Sequence, residues 1–146
     1  MEHIDSRIEQ YKQRLSNIRI NADASPYELR VLEKDLDDLQ TDMLFDFSEM
    51  RTQYQDIQRS IEVITRINIQ GSNEQERRAN GYNAARGVQT QGSNGEDVQL
   101  NLFEVESVLR RRYFILQDIF SAIRDKSQRI ITLRSTLKIE EELTMN

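Results

Sequence analysis

From Ser25 to about Asn68 the chain admits one regular structure, a single long amphipathic helix. Ser25-Pro26-Tyr27-Glu28 is a start signal, with Ser at the N-cap, Pro at the first helical position and Glu three residues after the Ser to close a capping box. No further Gly or Pro follows Pro26 until Gly71. Apolar residues recur at Leu29, Leu32, Leu36, Leu39, Met43, Phe47, Met50, Tyr54, Ile57, Ile61 and Ile64 in steps of three and four, the spacing of a coiled-coil seam. Leu39, Met43 and Phe47 repeat the step of four, a stutter that locally unwinds such a seam. At 1.5 Å per residue the helix is about 60 Å long, and a stripe of that length requires a partner along it.

Two further segments supply partners. Residues 2 to about 20 carry Ile4, Ile8, Tyr11, Leu15 and Ile18 on one stripe, and the short 21–24 turn predicts that this helix folds back on the second with Tyr11 opposite Leu36 and Ile4 opposite Met43. The third segment, about 97–142, has its seam at Leu102, Val105, Leu109, Arg112 or Tyr113, Leu116, Phe120, Ile123, Ser127, Ile130, Leu133 and Leu137. Laid antiparallel, it sets Met50 against Leu116, Met43 against Ile123 and Leu36 against Ile130, with Asp42 near Arg124, Asp37 near Arg129 and Glu28 near Lys138. The expected fold is all-α: one domain over 1–146, a long antiparallel helical hairpin of coiled-coil type with a shorter N-terminal helix packed on it.

Composition narrows the function classes. The 146 residues contain no Cys, which removes disulfides and thiolate metal sites, and a single His, His3, which leaves no His-based catalytic pair. Asp35, Asp38, Asp42 and Asp46 form an acidic stripe at helical spacing, read as a solvated, salt-bridged face because the Glu-x-x-His element of a di-metal bundle is missing. No phosphate-binding loop, dinucleotide fingerprint or nucleophile elbow occurs, so neither a catalytic residue, a metal nor a cofactor is expected. The net charge of -5, with both signs interleaved, disfavours nucleic acid as the main partner, although Arg110-Arg111-Arg112 and Arg77, Arg78 and Arg86 keep that contact open. No apolar run spans a bilayer, and the N-terminal residues lack a signal peptide's pattern. A cytoplasmic protein is expected, or a virion component.

The 69–96 connector collects all five Gly, with Gln70-Gly71-Ser72-Asn73 repeated as Gln91-Gly92-Ser93-Asn94. Residues 72–79 predict a short capped helix and 82–86 a weak helical turn, while Asn73, Glu74, Arg77, Arg78, Tyr82 and Arg86 are the side chains suited to a partner protein. Gly71-Ser72-Asn73-Glu74-Gln75-Glu76-Arg77-Arg78-Ala79, between two long heptad helices, resembles a Gly-x-Asn-Glu-x-Glu-Arg-[Lys/Arg]-Ala signature of small coiled-coil proteins of bacteriophages and prophages, and departs from it in the longer Gly-rich stretch that follows. That resemblance implies an accessory role near phage replication or recombination.

Gln99-Leu100-Asn101-Leu102-Phe103 resembles the bacterial sliding-clamp-binding pentapeptide, which implies Gln99, Leu100, Leu102 and Phe103 as clamp contacts if the segment is extended and accessible. Tyr113, Phe114, Ile115, Ile119 and Phe120 cover more than one helix face and predict an oligomer interface, with intrachain core as the competing assignment. The expected function is therefore a non-enzymatic, self-associating helical interaction protein acting through its 69–97 loop. The alternatives are a neck, connector or scaffold-like virion component, and an inhibitor that sequesters a host factor.

Overall fold

The computed structural model describes residues 3–91 and 99–145, and among these the chain forms four helices and one short ladder. The elements are α1 (Ile4–Asn17), α2 (Pro26–Ile67), α3 (Glu74–Gly87), β1 (Gln89–Gln91), β2 (Gln99–Asn101) and α4 (Leu102–Thr144). The fold is all-α, and the three-residue ladder is its only sheet among the described residues. Residues 92–94 of the second tetrad and the expected helix start at about 97 lie outside the described residues. No helix among those described is long and apolar enough to cross a membrane.

Where the sequence predicts a single domain, the chain packs as two compact units. One comprises 1–47 with 115–146, the other 48–114. Both long helices contribute a segment to each.

In the first unit α2 opens with the expected capping box: the Glu28 amide donates to Ser25 Oγ at 3.2 Å and the Ser25 amide to Glu28 Oε2 at 3.0 Å. Leu29, Leu36, Leu39, Met43, Leu116, Ile123 and Ile130 are fully enclosed, the seam that the three-and-four spacing identifies. Phe47 packs on Phe120 with ring centroids 4.7 Å apart, and Arg134 donates to Glu33 at 2.5 Å, so α2 and α4 run antiparallel within one residue of the expected alignment. The flanking charges are arranged otherwise. Asp42 is bridged by Arg14 rather than Arg124, and Glu28 turns back to its own cap rather than to Lys138.

Helix α1 differs more. It ends at Asn17, so residues 18–25 form a longer connection than the predicted turn, and α1 lies about two turns further along α2 than the apolar alignment implies. Tyr11 reaches Asp42 and Asp46 instead of Leu36, because polar side chains set this register. Arg7, Tyr11 and Arg14 lie on one face at helical spacing and meet Asp42 and Asp46 one turn apart. Asp46, expected on a solvated face, is 4% exposed; it accepts two 2.9 Å bonds from Arg7 and one of 2.6 Å from the Tyr11 hydroxyl. Burial pushes the Asp46 carboxyl up, but the hydrogen bonds and charge facing it outweigh this and hold it below the ordinary value. The same burial and carboxylate push the Tyr11 hydroxyl up to about 12.

The other end of α1 is held by Lys126 of α4, whose ammonium donates to the carbonyls of Leu15, at 3.0 Å, and Ile18. A cation at a helix C-terminus adds a donor to the terminal carbonyls, of which that of Leu15 also accepts from the Ile18 amide at 3.2 Å, and complements the dipole. Desolvation, with Arg129 and Arg19 nearby, pushes this lysine below its usual value.

Candidate functional site

The second unit carries the residues that the sequence nominates for partner recognition, and its frame is a chain of caps. Gly71 adopts φ 147°, a backbone state that side chains disfavour, and it turns the chain out of α2. Asn73 then caps α3, accepting from the Glu76 amide at 2.8 Å, while Glu76 reaches back to accept from the Ser72 amide at 3.0 Å and hydroxyl at 2.7 Å. These bonds, the side-chain one first, hold the Glu76 carboxyl below its usual value. Arg77 donates to the Gly71 carbonyl at 3.1 Å, and Asn80 to that of Gln70 at 2.5 Å. The resemblance motif over 71–79 thus coincides with a self-bonded turn.

The short helix and separate weak turn predicted over 72–86 are one continuous helix, α3. It docks through Gly81, where an added Cβ would lie 2.7 Å from the Thr65 carbonyl oxygen, and through Ala85, which is fully enclosed. The sequence predicts a polar connector over 69–96 because residues 74–87 carry almost no apolar stripe; the docking signal is small residues at 81 and 85, one turn apart.

Beyond α3, β1 and β2 pair antiparallel with Gln89 opposite Asn101 and Gln91 opposite Gln99. Asn101 then caps α4 in a capping box that the sequence reading missed: the Glu104 amide donates to Asn101 Oδ1 at 3.0 Å and the Asn101 amide to Glu104 Oε2 at 2.9 Å. The Asn-x-x-Glu spacing is legible at 101–104, and it moves the helix start from about 97 to Leu102.

The six loop residues therefore divide. Asn73 is a cap, Glu74 pairs with Arg78 at 2.6 Å, and Arg77 is spent on Gly71. Tyr82 and Arg86 are available: Tyr82 is 59% exposed and stacks on Phe103 of α4, centroids 5.4 Å apart and planes 7° from parallel. With Arg86, Asn101, Glu104 and Ser107 they line an open cleft of about 330 Å³. An aromatic plate beside a guanidinium can bind a planar or acidic group.

The clamp-like segment is divided between the ladder and α4. Gln99 and Leu100 are in the ladder, Leu102 is buried in the first turn of α4, and Phe103 is committed to Tyr82.

The expected oligomer residues also divide. In the second unit Tyr113 stacks on Tyr54 at 5.7 Å and Phe114, nearly half exposed, edges against the same ring. In the first unit Ile119 is buried, Phe120 packs on Phe47 and Ile115 is half-buried, so intrachain core claims Ile119 and Phe120.

The arginine triplet points three ways, as consecutive helical residues must. Arg110 faces Glu106 at 3.6 Å, Arg111 is exposed and Arg112 is buried. Among the described residues no group of three or more His, Asp or Glu side chains is placed to hold a metal ion. Compared with known protein families, with curated proteins and with solved structures, the chain matches none.

Proposed function

We propose that this chain is a helical interaction protein that recognises a partner protein through the outer face of α3 and the start of α4, with Tyr82, Phe103 and Arg86 as the contact set. The observation that carries this reading is an exposed tyrosine held flat on a second ring, on a frame fixed by two caps and a glycine contact. Preorganised aromatic surface beside an arginine is the composition of interaction hot spots, because little side-chain freedom remains to be lost on binding. A phage replication or recombination accessory is the proposed setting, and it rests on the resemblance of residues 71–79. A structural role in a virion is the second reading, favoured by Leu44 and Phe45, which stand 55% and 73% exposed on α2.

Affinity capture from host cells with the full chain tests the choice. Tyr82→Ala with Arg86→Glu is expected to weaken retention of the captured partner by at least about a hundredfold, the loss of two hot-spot side chains, with helical content unchanged. Retention by that variant, together with loss by Phe45→Glu, transfers the function to α2 and to the structural reading.

A further inference from the structure

We propose that the first unit pairs with a second copy of itself, each copy laying the last turns of α4 into the cleft beside the start of the other's α2. This surface is separate from the Tyr82 face. The cleft, about 310 Å³, is lined by Arg19, Asn21, Ala24, Tyr27, Val31 and Leu32 and by Glu28, whose carboxylate accepts from the Ser25 amide of its own capping box. Tyr27 is 70% exposed, and Arg30, Val31 and Lys34 follow it on one face at helical spacing, giving an apolar pair flanked by cations.

The last turns of α4 offer the complement. Ile139 and Leu143, one turn apart, are 57% and 71% exposed, with Glu140 beside them. These turns contain Glu140, Glu141 and Glu142 and the last turn has no basic residue, so carboxylates stand at the negative end of the helix dipole, where cations are favoured. Arg19, Arg30, Lys34 and Glu140 have no ion-pair partner among the described residues of the single chain. A second copy supplies to each group the charge that it lacks.

The symmetry is consistent. The Glu33–Arg134 contact aligns the start of α2 with the end of α4, so donor turns and receiving cleft lie at the same end of the unit. A two-fold axis there lets both copies give and receive. Repetition matters, because one helix turn in a shallow cleft falls short of the roughly 1,000 Å² of a specific interface.

Native mass measurement of the full chain at micromolar concentration is expected to find two copies. Arg30→Glu with Lys34→Glu, or Glu140→Lys, is expected to weaken association about tenfold or more with helicity unchanged, and the three changes together to restore it. Because the chain has no cysteine of its own, mixing a Val31→Cys chain with a Leu143→Cys chain is expected to give a disulfide joining the two species on oxidation. A wild type of single-chain mass, a pair indifferent to both reversals, a combined variant that stays apart, or mixed cysteine chains that do not join overturns the proposal.

Discussion

Replacing Arg7 with alanine is expected to destabilise the first unit by about 3 kcal/mol, the lower end of what removing one partner of a buried ion pair costs. Asp46 carries the loss. Its side chain is 5% exposed, so without the guanidinium it keeps the Tyr11 bond but loses two charge-assisted bonds. The effect depends on pH in a defined direction. In the native chain the folded Asp46 pKa is depressed, so the cluster's contribution is present above the ordinary carboxylate value and is lost as pH falls through the lower folded value. At the alkaline end Tyr11 works in the opposite sense. Its folded pKa near 12 lies above the unfolded value, so its contribution holds below about 10 and fades as pH rises through 12. In Arg7→Ala, burial acts on the carboxyl with less opposition, so the stability gap to wild type is expected to narrow on acidification below about pH 4. Denaturant midpoints of both proteins at neutral and acidic pH check this, and a neutral-pH difference under about 0.5 kcal/mol would contradict it.

Gly81→Val is expected to cost about 3 kcal/mol and to release α3 from α2, because the nearest obstacle to a Cβ is the Thr65 backbone carbonyl, which cannot swing aside. Gly81→Ala sets two effects against each other. Alanine gains up to about 1 kcal/mol of helix propensity, whereas overpacking costs about 1–3 kcal/mol, so a net loss is expected. Gly87, with nothing within 4 Å of an added Cβ, is the control. Gly87→Ala is expected to be neutral or to stabilise by about 0.5 kcal/mol, less than a mid-helix gain because it ends α3. Hydrogen exchange of the α3 amides separates local release from global loss, and equal protection in the Gly81 and Gly87 variants would sink the assignment of Gly81 as the docking contact.

How far the sequence revealed these features depends on what sets each contact. Leu29, Leu36, Met43, Ile123 and Ile130 bury because apolar spacing has one solution, and the alignment of α2 with α4 followed to within a residue. The placement of α1 did not follow. Its register is fixed by Arg7 and Arg14 against Asp46 and Asp42, and apolar matching cannot see a contact between charges. The same blindness hid Lys126, which answers backbone carbonyls rather than a complementary side chain. Around α3 the missing information was steric: a glycine among polar residues reads as a loop until the carbonyl that it accommodates is known. Of the candidate site, Tyr82 and Arg86 were legible as residue types suited to recognition. Phe103 was nominated for another contact, because its stacking on Tyr82 depends on α4 starting at Leu102.

The Lys126 clamp has a consequence for the order in which the chain acquires structure. The carbonyls of Leu15 and Ile18 lie 111 and 108 positions from their donor, so α1 leaves the ribosome long before that lysine has been synthesised. A helix of 14 residues is marginal in water by itself, and the Arg7–Asp46 contact spans only 39 positions of the chain. During synthesis α1 is therefore first pinned against α2 through Arg14 and Arg7, while the carbonyls of Leu15 and Ile18 still lack the lysine that answers them. The latch at Leu15 and Ile18 closes only after α4 has emerged, which makes it a step of high contact order and a late one to form.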